Sequence, residues 1–307
     1  MDITIPKPLL PGDTVAMIGV SGCIHKDPVQ QYVDEAEAAL RALGFNVRVD
    51  ETCGRRWGFF AGTDPERAEA LNRAFADDEI DGIWCIKGGY GCSRMVELAD
   101  WDLIAAHPKA FIGYSDITAL HTALHQRCHL ATFHGPMPIG GIEASNLPSL
   151  MHAISGQPDW ELVNIDGSPL VGLYPGTAEG VLVGGNLNLL ASGCGTPNEL
   201  DVRGKLLFLE DVGEYSYHID GYLQQLFNAG KFSECAGIIF GGFTDCNEEY
   251  ERSNSFSVDD LLEQIAQRVK VPVIKNLQAG HMKDKLTLCL GRTYRMDADA
   301  GRIRLVG

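Results

Sequence analysis

The sequence predicts an α/β protein with two domains. Three observations support this fold class: strand-like and helical segments alternate in the first half, short apolar segments crowd the second half, and 307 residues suffice for two cores. Hydrophobic residues make up 45% of the chain and charged residues 21%, as in soluble globular proteins. We expect an N-terminal domain at 1–155, a linker at 156–175 and a C-terminal domain at 176–307.

The N-terminal half alternates the periodicities of strands and helices. The expected strands are 14–20, 45–50, 80–86 and 109–115, and the expected helices are 34–43 and 64–77. Gly44 ends the first helix, and Pro65 suits the first turn of the second. This alternation predicts a mostly parallel sheet flanked by helices, with functional sites at the carboxyl ends of its strands.

The pattern changes after about residue 140. A helix is expected at 147–158, followed by a segment rich in glycine and proline. Short strands are then expected at 178–185, 205–211, 235–243 and 270–276, with helices at 218–230 and 257–269. The C-terminal domain is therefore expected to be α/β, rich in short strands and barrel-like.

Composition excludes several classes of function. The chain has 41 acidic and 25 basic residues, a formal net charge of −16, which disfavours a nucleic-acid partner. Neither a signal peptide nor an apolar stretch long enough to span a membrane is expected. Nine cysteines without a C-x-x-C pair are typical of reduced thiols, so a cytoplasmic location is expected.

The stretch "AFIGYSDITAL" suggests a nucleophile. An apolar strand ends at Gly113 and a helical pattern begins at once, so Ser115 would lie on a sharp turn beside a helix N-terminus. The G-x-S-x-G spelling of a nucleophile elbow is absent. Alternatively, Ser115 or Asp116 caps the helix by accepting hydrogen bonds from its first N–H groups.

Histidines offer candidates for a base or a metal site. His121, His125 and His129 share one helical face, but no H-E-x-x-H motif is present, so a polar face near the surface is the preferred interpretation. His134 is expected in a turn, where it could line a pocket. His281 lies in a loop between two apolar segments, where it is either a catalytic base or a solvated residue.

An acid could come from the segment "KLLFLEDVGE". Glu210 ends an apolar strand, and a buried carboxylate there requires a partner, either a catalytic histidine or an arginine or lysine. Asp211 and Glu214 follow in the expected turn, where capping or solvation would explain them. The set of serine, glutamate and histidine is more informative than any one of the three.

The chain resembles the L,D-carboxypeptidases, also called murein tetrapeptide carboxypeptidases, to which the microcin C immunity proteins are related. The resemblance runs from about residue 59 to 291 and is carried by the motifs "FAGTDPERAEALN", "KGGYGCSRMVELADWD", "FIGYSDITAL", "TFHGPM", "VLVGGNLNLL", "LFLEDVGE", "HIDGYLQQL" and "AGHMKDKLTLCLG".

The resemblance implies a serine peptidase with an active site between the two domains and no cofactor or metal. Its implied catalytic residues are Ser115, Glu210 and His281. The implied oxyanion hole consists of backbone amides of Asp116 and of the glycine loop, where Gly88 and Gly89 are both candidates. Candidate substrate-binding residues are Lys87, Tyr90, Arg94 and His134. The family often forms homodimers.

Two positions depart from the family pattern. Lys87 stands where an arginine often precedes the glycines, and Cys289 stands where proline is usual. Neither belongs to the implied triad.

Three functions remain in competition. The main hypothesis is release of the terminal D-alanine from a murein tetrapeptide during cell-wall recycling. The alternative is immunity-type cleavage of peptidyl-nucleotide amides, but the expected loop offers only Tyr174 to stack a nucleobase. A non-catalytic peptide-binding module is disfavoured because all three triad residues are present.

Overall fold

The computed structural model describes residues 3–246 and 255–306. It contains fourteen strands in the described residues, named in chain order: β1 Thr14–Ile18, β2 Asn46–Val49, β3 Gly82–Cys85, β4 Ala110–Gly113, β5 Thr132–His134, β6 Trp160–Glu161, β7 Val171–Tyr174, β8 Thr177–Asn186, β9 Leu206–Val212, β10 Gly237–Thr244, β11 Val273–Lys275, β12 Leu288–Leu290, β13 Thr293–Asp297 and β14 Arg302–Leu305.

Ten α-helices connect these strands within the same described ranges. They are α1 Val29–Ala42, α2 Asp64–Ala76, α3 Cys92–Met95, α4 Trp101–Ala106, α5 Thr118–Cys128, α6 Leu147–Ile154, α7 Leu187–Gly193, α8 Ser216–Asn228, α9 Lys231–Glu234 and α10 Val258–Arg268. None of the described helices is long and apolar enough to cross a bilayer.

The chain divides into two compact units. The first comprises the residues up to Gln157 together with Thr287–Cys289, and the second comprises the rest. The segment 156–175, which we expected to be a linker, contributes the short strands β6 and β7 to the second unit's sheet.

The first unit is built on a six-stranded sheet in the order β12-β5-β4-β3-β1-β2. Neighbours from β5 to β2 pair in parallel, as the strand–helix alternation predicts. The inner strands β3 and β4 are buried at every position, which explains their continuous apolar sequences. Apolar side chains of α2 and α5 join them in one core, including Leu71, Phe75 and Leu120.

Local sequence signals account for the helices of this unit. In α2, Thr63 and Glu66 form a reciprocal capping box and Pro65 lies in the first turn, as expected. The first helix, α1, begins at Val29, five residues earlier than expected. Val33 is buried together with Ala36 and Leu40, so the apolar face of α1 already begins before Asp34, where the helix was expected to start.

The second unit is built on an eight-stranded mixed sheet in the order β6-β14-β13-β8-β9-β10-β11-β7. Strands β8 to β11 pair in parallel, and the outer pairs are antiparallel. The predicted α/β fold class is confirmed, including the strand-rich second domain. The strand order has two ends, β6 and β7, so the described sheet is not a closed barrel.

Candidate active site

Ser115 lies on a strained turn directly after β4. Its φ is +69°, in the left-handed region that residues other than glycine rarely adopt, and a short 3₁₀ turn, Ser115–Ile117, leads from it into α5. A serine held in this conformation between a strand and a helix has the backbone of a nucleophile elbow. Its Oγ has no hydrogen-bond partner among the described residues.

The capping interpretation of this turn is wrong. Neither the Ser115 nor the Asp116 side chain accepts a hydrogen bond from the first turn of α5, and only their backbone carbonyls accept from Thr118 N–H. The buried Asp116 carboxylate instead accepts from Ser21 Oγ at 2.6 Å and from the backbone N–H of Cys92 at 2.9 Å. Asp116 therefore ties the serine turn to the loop after β1 and to the end of the glycine loop. The sequence contained no signal for Ser21, which lies 95 residues away.

The glycine loop after β3 approaches Ser115 closely. A Cβ on Gly88 would lie 2.8 Å from Ser115 Cβ, and a Cβ on Gly89, whose φ is +136°, would lie 2.9 Å from Gly22 Cα. Only glycine fits at both positions. The backbone N–H groups of Gly88, Gly89 and Asp116 find no acceptor among the described residues. These donors near a serine turn could stabilise an oxyanion.

The two candidate cations of this loop differ in their partners. Arg94 forms an ion pair with Asp64, at 2.9 Å from Nη2 to Oδ2, and its guanidinium lies over the Phe60 ring. Lys87 is partly buried and donates from Nζ to the backbone carbonyl of Cys23 at 3.1 Å. Burial lowers the pKa of Lys87. Among the described residues, no carboxylate forms an ion pair with Lys87, in contrast to Arg94.

The histidine face of α5 is not at the surface, so that expectation is wrong. His121 and His125 are buried, and His129 ends the helix in a left-handed conformation. His121 bonds Thr132 Oγ1 from Nδ1 and the Gly113 carbonyl from Nε2. The spacing of residues along α5 could not predict that this histidine face is buried, because its burial depends on packing against β5, a separate strand. Among the described residues, no three His, Cys, Asp or Glu side chains gather in a metal-like cluster.

His134 also differs from expectation. It lies in β5 rather than in a turn, and it is buried against the rings of Tyr114 and His121, with centroids 5.8 and 6.3 Å away. Its position supports the base of the serine turn.

Acidification should test the buried state of His121. Burial lowers the pKa of His121 to about 4 in the folded protein. Between pH 6.5 and 4, His121 is therefore protonated in the unfolded chain but neutral in the folded protein. Stability conferred by neutral His121 is thus lost as pH falls from about 6.5 towards 4. Between pH 7.5 and 5, urea unfolding should show a loss of about 2 kcal/mol in wild type that His121→Gln lacks. Parallel stability–pH curves would contradict this.

In the second unit, Glu210 and the partly buried His281 form a hydrogen-bonded pair. His281 Nδ1 lies 2.7 Å from Glu210 Oε2, and the glutamate side chain is fully buried. Because a carboxylate only accepts, Nδ1 carries the proton and the lone pair is on Nε2. The partner that the buried glutamate requires is therefore His281, not a lysine or arginine. Glu210 lies inside β9, which continues to Val212.

Gly280 permits this contact. Its φ is +114°, and a Cβ there would lie 2.5 Å from Glu210 Oε2. Any larger residue would displace either the carboxylate or the histidine loop.

Asp211 is buried in β9 rather than exposed in a turn. It accepts from Asn186 Nδ2, from Asn188 N at the start of α7, and from its neighbour Val212 N. Burial nevertheless raises the pKa of Asp211 to about 6. Glu214 does lie in the turn that follows, where it bonds His218 and Asn188. These acids brace β8, β9 and α8 around Glu210.

A pocket of about 740 Å³ also lies in the second unit. It is lined by the carboxyl end of β10, the start of α10 and Met282, the residue after His281. Its lysine, Lys275, is paired with Asp259 and Glu263. The volume is typical of sites for small ligands.

Comparison with known proteins finds relatives that match over nearly the whole chain. A probable murein peptide carboxypeptidase of Bacillus subtilis is 40% identical over 95% of this chain and 91% of its own length. The crystal structure of a muramoyltetrapeptide carboxypeptidase from Oxalobacter formigenes is 26% identical, with a TM-score of 0.82 over 95% of this chain and 97% of that one.

The microcin C7 self immunity protein MccF shares the fold, with a TM-score of 0.88, 22% identity and coverage of 99% and 98% of the two chains. Family comparison matches the LD-carboxypeptidase N-terminal domain at residues 15–135 and the C-terminal domain at residues 179–296. The resemblance inferred from the motifs is thus confirmed, and the chain belongs to the Peptidase S66 family of LD-carboxypeptidases.

Proposed function

We propose that this serine carboxypeptidase releases D-alanine from the murein tetrapeptide L-Ala-γ-D-Glu-meso-diaminopimelate-D-Ala, with Ser115, His281 and Glu210 as its triad. The observation that carries the proposal is the hydrogen bond between the buried Glu210 carboxylate and the partly buried His281, because these are the orienting acid and the base of a serine hydrolase site. Relatives named for murein peptides support the substrate class.

The proposed reaction has two steps. His281 Nε2 takes the proton of Ser115 Oγ as the oxygen attacks the diaminopimelate carbonyl. The oxyanion accepts hydrogen bonds from the N–H of Asp116 and from Gly88 or Gly89. The imidazolium then gives its proton to the amine of D-alanine, which leaves. Water, deprotonated by His281, hydrolyses the ester and restores Ser115.

Glu210 would orient and stabilise the imidazolium without reacting itself. Its Oε2 fixes the His281 tautomer, and its negative charge stabilises the proton that the ring receives. Full burial of the carboxylate strengthens this interaction, since little water screens it.

A carboxypeptidase must also bind the free carboxylate of the terminal residue. We assign this role to Lys87, because Arg94 is already paired with Asp64. A partly buried ammonium bonded only to a carbonyl gains most from an anionic partner. If the substrate lacked that carboxylate, the donors built for it would be left unpaired.

The substrate test compares three peptides by mass spectrometry. We expect rapid release of D-alanine from the tetrapeptide, and slow turnover of both its C-terminal amide and the D-Ala-D-Ala pentapeptide. Lys87→Met should raise KM for the tetrapeptide about tenfold or more and change turnover of the amide little, whereas exposed Lys26→Met serves as the control. Equal rates on tetrapeptide and pentapeptide would refute the L,D assignment. Faster cleavage of a peptidyl-adenylate analogue would favour the immunity-type function.

The proposal also covers the cellular location and the oligomeric state of the enzyme. We infer a cytoplasmic homodimer that acts in peptide recycling. All nine cysteines are free thiols and eight of them are buried, which supports a reducing compartment. Sedimentation of the purified chain measures the oligomeric state.

A further inference from the structure

Two short segments of the first unit are joined beside the serine turn. One is Val20–Ser21, in the loop after β1, and the other is Gly91–Cys92, where the glycine loop ends and α3 begins. Two buried side chains of opposite charge, Arg67 and Asp116, each form hydrogen bonds to both segments. We call the two segments and these two side chains the loop clamp.

Arg67 of α2 binds the carbonyl groups of the two segments. Its Nη1 donates to Val20 O at 2.8 Å and to Gly91 O at 3.0 Å, and its side chain is fully buried. Gly91 has a φ of +122°, and a Cβ there would lie 2.5 Å from the Phe60 ring, so only glycine can follow this path. The end of the glycine loop is therefore fixed on the loop after β1.

Asp116 binds the hydrogen-bond donors of the same two segments. Its Oδ2 accepts from Ser21 Oγ at 2.6 Å and from Cys92 N at 2.9 Å, and the residue is only 3% exposed. Hydrogen bonds to a carboxylate are stronger than those between neutral groups, and burial limits competition from water. Unlike Arg67, Asp116 also belongs to the serine turn. The loop clamp therefore acts directly on the turn that presents Ser115.

The proposed oxyanion donors lie next to these attachments. One donor is the N–H of Asp116 itself, and the other belongs to Gly88 or Gly89. Gly22, the neighbour of Ser21, packs against the same glycine loop, since a Cβ on Gly22 would lie 3.3 Å from both Gly88 O and Gly89 Cα. The position of Ser21 and Gly22 thus affects both donors. Hydrogen bonds to an oxyanion weaken when their distances and angles change, so these contacts bear on catalysis.

We propose that Ser21 is a positioning residue for the oxyanion hole and acts through its hydrogen bond to the Asp116 carboxylate; this rests on the proposed function. In this role Ser21 touches neither the substrate nor the reacting atoms. Because the oxyanion forms only during the reaction, loss of the Ser21 hydroxyl should lower kcat and leave substrate binding nearly unchanged. If Ser21 only stabilised the fold, its loss would lower the melting temperature and leave kcat unchanged.

The first test separates kcat from KM on the murein tetrapeptide. Ser21→Ala should lower kcat about tenfold and change KM less than about twofold. Asp116→Ala should lower kcat at least as much, whereas Asp116→Asn, whose amide oxygen can accept both hydrogen bonds, should keep kcat within about threefold of wild type. Ser149→Ala is the matched control, because Ser149 is also a buried serine but bonds Asn146 and Thr287. Unchanged kcat in Ser21→Ala would overturn the proposal, as would equal losses in Asp116→Asn and Asp116→Ala.

The second test does not depend on D-alanine release. An alkyl fluorophosphonate reacts with an activated serine: the Oγ–P bond forms, the P–F bond breaks, fluoride leaves, and the base takes the hydroxyl proton. The phosphoryl oxygen occupies the oxyanion hole during this step. Intact-mass measurements should show one phosphonyl group added to Ser115, about tenfold more slowly in Ser21→Ala than in wild type. Slower labelling of Ser21→Ala, with no D-alanine release by wild type, would count against the proposed function alone. Equal labelling rates in wild type and Ser21→Ala would overturn the positioning role.

Discussion

Replacing Ser115 by alanine should reduce kcat for D-alanine release by at least about three orders of magnitude, and His281→Ala should do the same. Without the hydroxyl no acyl-enzyme forms, and without the imidazole no base accepts the serine proton. The measurement is initial-rate kinetics on the tetrapeptide. Ser115 and His281 would act in one step, so the double variant should be about as slow as either single variant. Its loss in kcat should not equal the product of the two single losses.

Folding must be controlled in this experiment. Ser115 is strained at φ +69°, and alanine keeps a Cβ there, so the melting temperature should stay close to wild type. Ser233→Ala, which removes an exposed serine outside the candidate site, is the matched control for kinetics. A Ser115→Ala protein with a near-native rate would eliminate the serine mechanism. Multiplicative losses in the double variant would show that His281 does not act on Ser115.

Glu210→Gln should have the second largest effect, a loss of about two to four orders of magnitude in kcat with a smaller change in KM. Glutamine has nearly the same size and shape as glutamate but carries no charge, so this variant tests the negative charge of Glu210 alone. Glu210 Oε2 accepts from His281, whereas Oε1 is buried without a hydrogen-bond partner among the described residues. The amide can therefore keep its oxygen on His281 and turn its NH₂ towards the Oε1 side, so the hydrogen bond to His281 remains while the negative charge is lost.

Stability gives an independent readout for this variant. The new NH₂ donor would be buried without an acceptor, which costs about 1–3 kcal/mol in the free energy of unfolding. Glu210→Asp serves as the comparison, because it keeps the charge but shortens the side chain. If Glu210→Gln retained wild-type kcat, the carboxylate would be only a structural partner of His281. If Glu210→Asp were as slow as Glu210→Gln, position would matter more than charge.

Much of the fold followed from local patterns. Continuous apolar runs predicted the buried strands β3, β4 and β9, and Pro65 in the first turn of the helix expected at 64–77 agrees with the start of α2. These signals are reliable because strand burial and helix capping depend on residues close in sequence. Short edge strands such as β6 and β7 lack such signals and were missed.

The candidate site was predictable only in part. Topology placed Ser115 and the glycine loop at the carboxyl end of the parallel sheet, and burial required a partner for Glu210. The buried contact between Asp116 and Ser21 was not predictable, because no pattern in the sequence links residues 95 positions apart.

By itself, the sequence determined the α/β class, the resemblance to L,D-carboxypeptidases and the residue types available for catalysis. The tertiary structure decided which of them meet within each unit. His281 forms a hydrogen bond with Glu210, which lies 71 residues away in the sequence, and Ser21 donates to Asp116, 95 residues away. Arg94 forms an ion pair with Asp64, 30 residues away. Burial of His121 was likewise decided by β5 packing over α5. Such contacts arise from how distant segments are brought together, and local sequence patterns report only on neighbours in the chain.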